Sequence, residues 1–273
     1  MNNQQTFKQM YGPWALVTGA SSGIGAELAR QLAARGLNVA VAARRKERLD
    51  VLTNELERAH GVEARAIAVD LTAPDYLDVI ESATNDIEIG LLVNNAGSVV
   101  PGAFLKQGVD GRTRVVQLNV TAPMQLAHLF GQKMSRRGRG GILFVSSTSA
   151  FSGAPYMANY AGTKAFILSL GEGLHVELKP QGVDVTVLVP GPTRTEMVQS
   201  EGMDFSSSMP DMMWMNADAV AAAGLNGLGR QRVVVPGGMN KVMRFMMTRV
   251  LSRSAAANMF GGMMKRAMDP AIV

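Results

Sequence analysis

Tyr160 and Lys164 lie four residues apart, so on a helix their side chains face the same way. A free phenol titrates near ~10, too high for a base at neutral pH, and a nearby ammonium favours the phenolate. Lys164 is therefore expected to lower the pKa of the Tyr160 hydroxyl and fit it for acid/base work on a carbonyl or alcohol oxygen. Ser147 follows an apolar run at what should be the C-terminal end of a strand, where open sheets bind ligands. Its hydroxyl is placed to bond the same oxygen. Asn119 is the fourth member of this cluster. A lone Tyr-x-x-x-Lys on a helix usually does nothing, and Ser146-Ser147 alone reads as a loop start, so their meaning depends on their company.

That company begins at Thr18-Gly19-Ala20-Ser21-Ser22-Gly23-Ile24-Gly25, between an apolar strand and a helix. Glycine permits the tight turn and lets backbone approach a pyrophosphate, while the helix N-terminus offers free N–H groups. A glycine pattern alone is equally a plain strand–helix turn; its place in the first βαβ unit favours a dinucleotide. The second strand ends Ala42-Ala43-Arg44-Arg45. A carboxylate there would bind a ribose 2′-hydroxyl; arginine pairs with a 2′-phosphate, so NADP is favoured over NAD. Arg44 is the favoured partner, with Arg45 pointing away as the alternative.

The elements that must position these groups alternate. Apolar runs predict strands over 14–18, 37–43, 64–69, 89–93, 141–145, 183–189 and 232–235. Helical spacing predicts helices over 25–35, 47–59, 75–83, 111–136 with a bend at Pro123, 156–178 and 217–228. Continuous apolar strands separated by helices imply a parallel sheet buried on both faces, a doubly wound α/β fold. One sheet takes up most of the chain, giving one Rossmann-like domain over 1–238 and a helical, methionine-rich extension over 239–273.

The bulk numbers exclude other classes. The 273 residues contain no cysteine, which removes disulfides and thiolate chemistry and fits a reducing compartment. The N-terminal stretch has no apolar leader segment, and no uncharged run reaches the ~18 residues of a membrane span, so a cytoplasmic protein is expected. His60, His128 and His175 have no ligand spacing, and no metal is expected. The net charge of +5 belongs to the tail: from Arg230 onward eight Lys/Arg face one acid, so no nucleic-acid surface is indicated on the body. Val242, Met243, Met246, Met247, Val250 and Leu251 are expected on one helical face, with Lys241, Arg244 and Arg249 opposite. Such a stripe more often packs on the body or a second subunit, and less often lies on an anionic membrane. A methionine-rich segment, 203–215, suits an apolar substrate or a plain packed lid.

Taken together, these motifs resemble the short-chain dehydrogenase/reductase family in its shorter, single-domain, NADP-preferring form. The ordered set is Thr18-Gly19-x-x-x-Gly23-x-Gly25, Asp70, Asn94-Asn95-Ala96-Gly97, Asn119, Ser147, Tyr160, Lys164 and Pro190-Gly191 with Thr195. The resemblance implies that Tyr160 exchanges a proton with the substrate oxygen and Ser147 orients that oxygen. It implies that Lys164 binds the nicotinamide ribose and lowers the tyrosine pKa, and that Asn119 holds a relay water. Gly19, Ser21, Ser22, Gly23, Ile24 and Gly25 would take the phosphates, and Arg44 and Arg45 the 2′-phosphate. Asp70 and Leu71 would contact adenine, Asn95 and Gly97 the adenosine side, and Pro190, Gly191, Thr193 and Thr195 the nicotinamide. The expected substrate is a small carbonyl or alcohol, apolar in character, handled by a homodimer or homotetramer associating through the helices near 111–136 and 156–178. The alternative is a catalytically silent dinucleotide-binding regulator or scaffold, which should have lost one of Tyr160, Lys164 and Ser147. An epimerase or dehydratase would need a larger C-terminal domain than the remaining residues supply.

Overall fold

The computed structural model of the chain describes residues 3–106, 108–197 and 211–267. Its centre is a seven-stranded sheet built from β1 (Trp14–Thr18), β2 (Asn38–Ala43), β3 (Ala64–Ala68), β4 (Ile89–Asn94), β5 (Gly140–Val145), β6 (Val183–Leu188) and β9 (Val233–Val234). The spatial order is β3-β2-β1-β4-β5-β6-β9, and the neighbours pair in parallel. Chain order reverses beside β1, which opens a crevice between β1 and β4 at the C-terminal strand ends. A second, two-stranded parallel pair joins β7 (Thr193–Arg194) to β8 (Met215–Asn216).

Successive strand residues face opposite layers, so each strand feeds two cores. Ala15 and Val17 of β1 join one cluster, Trp14 and Leu16 the other. The first layer holds α2 (Gly23–Ala34), α3 (Lys46–His60) and α8 (Ala217–Gly227), anchored by Leu28, Leu32, Leu49, Leu56 and Val220. The second holds α4 (Tyr76–Ala83), α6 (Ala122–Arg137) and α7 (Ala158–Leu178), anchored by Ile80, Leu126, Phe130 and Ile167. Burial of each such side chain contributes ~1.5–3 kcal/mol. The doubly wound architecture read from the sequence is the one observed.

Several elements differ from expectation. The helix expected over 111–136 is three pieces: α5 (Val109–Val116), a π turn (Gln117–Thr121) and α6. Pro123 has no N–H to offer the Asn119 carbonyl four residues back, so the ladder rewinds and Ala122 N donates to Gln117 O instead. The helix expected over 156–178 starts at Ala158 because Tyr156 takes a left-handed backbone, φ 65°. A short N-terminal helix, α1 (Asn3–Tyr11), was not anticipated. Its Phe7 and Tyr11 rings meet edge-on at 4.7 Å and join the first core. Tyr11 donates to Asp184 at 2.7 Å, and the ring fills a notch that Gly141 keeps open.

The extension forms α9 (Gly238–Phe245), a second π turn (Met246–Val250) and α10 (Arg253–Ala267). Its faces are rotated from those expected. Asn240 and Met247 turn inward, Arg244 lies over the Phe151 ring at 5.6 Å, and Val242 and Phe245 are 57% and 60% exposed. The π turn breaks the 3.6-residue period, and Arg244 finds an aromatic partner on the body. Met264 of α10 is fully buried, in a cluster that also holds Val99, Met157 and Ala161, against which Tyr160 packs. Among the described residues no helix is long and apolar enough to cross a membrane.

Candidate active site

The C-terminal strand ends open on a cleft of about 440 Å³. Its walls take in each residue expected to meet the dinucleotide, from Gly19 through Arg44, Arg45, Asp70, Leu71, Asn95 and Gly97 to Thr195, together with Tyr160 and Lys164.

At one end β1 turns into α2. Gly19 adopts φ 68°, and a Cβ there would stand 2.7 Å from the Ala96 Cα. A Cβ on Gly25 would strike both the Asn95 amide and the Gly19 carbonyl at 2.4 Å. Only glycine allows this approach, and it leaves backbone lining the cleft. Ser22 stands at the N-cap of α2 with no side-chain cap bond, so it does not consume a donor of the first turn. These features fit a pyrophosphate. Thr18 and Asn95 hold the turn from below. Thr18 Oγ1 accepts from Asn95 N and Ala96 N at 3.0 and 3.1 Å, and Asn95 Nδ2 donates to the Thr18 and Gly19 carbonyls at 2.9 and 3.2 Å. Asn95 thus braces the loop as well as lining the cleft.

Arg45 does not point away. Its guanidinium donates to Ser21 Oγ at 2.8 Å and Ser22 Oγ at 3.0 Å, folding over the turn. Arg44 lines the cleft near Asp70. Burial pushes the Asp70 carboxyl up, but the Thr72 N–H and hydroxyl and the charges of Arg44 and Arg114 outweigh this and hold it below its ordinary value. Asp70 also pairs with Arg114 at 3.3 Å, a cleft residue whose position on α5 gave no sequence signal.

At the other end, α7 brings Tyr160 and Lys164 to the cleft side by side, one turn apart. Lys164 Nζ donates to the Val145 carbonyl at 3.0 Å and lies 5.7 Å from the Tyr160 ring centre. Burial lowers the ammonium's pKa to about 8. The Tyr160 phenol bonds Ser147, yet burial outweighs that bond and raises its pKa. The expected direction is thus reversed. The Lys164 ammonium is spent on a backbone carbonyl and is itself penalised by burial, so desolvation of the phenol governs.

Asn119 is buried behind the wall, while Ser147 is half-buried and bonded to the Tyr160 phenol. Asn119 Oδ1 accepts from Ser98 N at 2.9 Å; its Nδ2 donates to Ser98 O at 2.9 Å and Thr163 Oγ1 at 3.1 Å. The side chain ties the loop after β4 to α7. A Cβ on Gly97 would sit 3.3 Å from both Asn119 Oδ1 and Lys164 Nζ, so this glycine admits the two polar groups. Asn240 of α9, absent from the sequence reading, backs Gly191: a Cβ on Gly191 would meet it at 2.3 Å. Its signal was only a polar residue on the inward face of an apolar stripe.

A sequence profile described as short chain dehydrogenase matches residues 13–204. The chain belongs to the short-chain dehydrogenase family, whose members use NAD or NADP. It is 34% identical over 197 residues to 17-beta-hydroxysteroid dehydrogenase type 3 of Rattus norvegicus, a match spanning 71% of this chain and 64% of the relative. It is 36% identical over 183 residues to the very-long-chain 3-oxoacyl-CoA reductase of Neurospora crassa, spanning 65% of this chain and 55% of that protein. The matches thus cover less than two thirds of either relative's length. Among solved structures, a short-chain dehydrogenase from Sphingobium yanoikuyae in complex with NADPH superposes with TM-score 0.78 at 35% identity, covering 88% of this chain and 97% of that one.

Proposed function

We propose that this protein is an NADP-dependent oxidoreductase that reduces an apolar ketone to an alcohol, or runs the reverse reaction, with Tyr160 as acid/base. The observation that carries the reading is the pairing of Tyr160 with Lys164 on α7, in the same cleft that holds the glycine turn. When bound, the nicotinamide supplies or accepts a hydride. Tyr160, kept as a neutral phenol by burial, holds the proton for the carbonyl oxygen. Ser147, bonded to that phenol, orients the oxygen. Lys164, its pKa near 8, returns the proton to Tyr160. The Asn119 carbonyl at the π turn continues the relay to solvent.

Two arginines and two serine hydroxyls near the adenosine end support NADP over NAD. Met197, Trp214, Phe260 and Met263 pack against the same apolar cluster as Tyr160, which supports an apolar substrate. The two relatives are named for a hydroxysteroid and a very-long-chain 3-oxoacyl-CoA, each with a large hydrocarbon part. The test is NADPH oxidation with ketones of rising chain length, comparing the parent with Tyr160→Phe. Rates that are equal in the two proteins remove the assigned role; flat or falling kcat/KM along the series removes the apolar substrate.

The α7 sequence is apolar around much of its circumference; its Phe166 and Val176 stand exposed, as does Met124 of α6. A helix of that kind is normally covered on both sides, which supports a homodimer or homotetramer through α6 and α7. The exposed Val242, Phe245, Met246 and Val250, flanked by Lys241 and Arg249, favour a second contact of the tail with an anionic membrane surface. Co-sedimentation of the full chain with anionic and neutral vesicles tests it; equal partitioning sinks it.

A further inference from the structure

We propose that Glu196 is an internal occupant of the 2′-phosphate subsite, so that NADPH binds by displacing its carboxylate from Arg45 and Arg48. This inference rests on the NADP reading above. Glu196 directly follows the segment carrying β7 and lines the cleft with Ser21, Ser22, Arg44 and Arg45. Its two oxygens are committed to different guanidiniums: Oε2 accepts from Arg45 Nη1 at 2.9 Å, and Oε1 from Arg48 Nη1 at 2.5 Å. The same Arg45 donates to Ser21 and Ser22. One carboxylate therefore already holds two cations, one of which also holds two hydroxyls, a donor set suited to an anion with more oxygens.

The pairs are strong enough to persist and open enough to exchange. Bonds from Arg45 and Arg48 hold the Glu196 carboxyl near 2, so it stays ionised throughout the neutral range. Arg45, Arg48 and Glu196 have side chains 42%, 47% and 48% exposed, so an incoming anion can reach them. A phosphate monoester brings nearly two charges and three acceptor oxygens; a carboxylate brings one charge and two. The phosphate wins the arginines, but against an occupant. A ribose 2′-hydroxyl has no charge and leaves Glu196 in place. Glu196 thereby sets how strongly the site separates the two cofactors, and Arg48, which no sequence motif marked, belongs to the subsite through it.

The displacement has a second consequence. Met197, the next residue, packs in the cluster with Tyr160 and Trp214 on the substrate side. Releasing Glu196 loosens the chain at the point where it enters that cluster. Occupation of the phosphate end is thus transmitted to the substrate end through two adjacent residues.

The probes are 2′,5′-ADP, which carries the 2′-phosphate without nicotinamide, and 5′-AMP, which lacks it. Affinities are measured by calorimetry for these, and by nucleotide fluorescence for NADPH and NADH, in the parent and in Glu196→Gln. The variant is expected to bind 2′,5′-ADP and NADPH about two- to fivefold tighter, the range that exposed ion pairs span, with 5′-AMP and NADH unchanged. In a Trp14→Phe background that leaves Trp214 as the one indole, 2′,5′-ADP but not 5′-AMP should shift the emission, and the shift should shrink on adding Glu196→Gln. Equal or weaker binding of 2′,5′-ADP by the variant overturns the proposal while leaving the NADP reading intact. A parent that binds NADPH no better than NADH overturns the NADP reading, and this inference falls with it.

Discussion

In the proposed reaction Tyr160 and Lys164 form a proton path whose two members have opposite electrostatic needs. Burial keeps the phenol neutral and drives the ammonium toward neutrality, and the two effects suit delivery of a proton to a ketone. Tyr160→Phe should therefore retain nucleotide binding while kcat falls by ~10²–10⁴, the usual share of a general acid, as read in stopped-flow assays. The pH profile follows from Lys164, whose pKa lies near 8. Its charged form predominates below that value and refills the phenol. Ketone reduction should hold level below about pH 8 and decline above it, and alcohol oxidation should rise over the same interval; a reduction rate independent of pH from 7 to 9 contradicts this. The i, i+4 pair was legible because helical spacing is local. The direction of the Tyr160 shift was not, since it depends on how much protein closes over α7 and on the Val145 carbonyl that Lys164 meets. The same holds for Asn119, whose amide partners Ser98 and Thr163 come from two other segments.

Among the elements, the π turn at Gln117–Thr121 shows a single imino acid shaping a site. Pro123→Ala restores an N–H to the ladder, and the turn is expected to relax to α-helix. Asn119 then rotates away from Ser98 and Thr163. Activity should fall by at least ~10-fold, as small misplacements do, while thermal stability holds or rises. Steady-state kinetics beside a melting curve separate the two effects. The bend at Pro123 was readable from sequence; that it takes the form of a π turn was not, because the choice rests on neighbouring packing. The helix α1 was missed for another reason. Its residues are mostly polar, and the one usable signal was Phe7 and Tyr11 at i, i+4. Tyr11→Ala should destabilise the fold by ~3 kcal/mol, through loss of a fully packed ring and of the Asp184 bond, measured by urea unfolding.

For the whole molecule, the sheet order and the two apolar layers were legible because continuous apolar strands alternating with amphipathic helices admit few topologies. The facing of the extension was not, because its second π turn breaks the period on which the reading relied. The extension packs against the candidate site: Asn240 backs Gly191, and Met264 is buried in the cluster against which Tyr160 packs. Ending the chain after 238 should raise KM for apolar ketones and lower kcat. Binding of 2′,5′-ADP at the opposite end of the cleft should persist within a few-fold. Loss of both activities together would show that the tail supports the whole fold rather than the substrate end.

The bracing of the Gly19 turn by Asn95 has a bearing on biosynthesis. The turn is encoded near the start of the chain, but the amide that clamps it arrives some seventy-six positions later, together with the strand that flanks β1 on its other side. A nascent chain still short of β4 carries the full glycine signature and lacks the strut that shapes it. Nucleotide capture on the ribosome would therefore begin only after that loop has left the exit tunnel, and an amino-terminal fragment stopping at β3 would fail to retain the ligand.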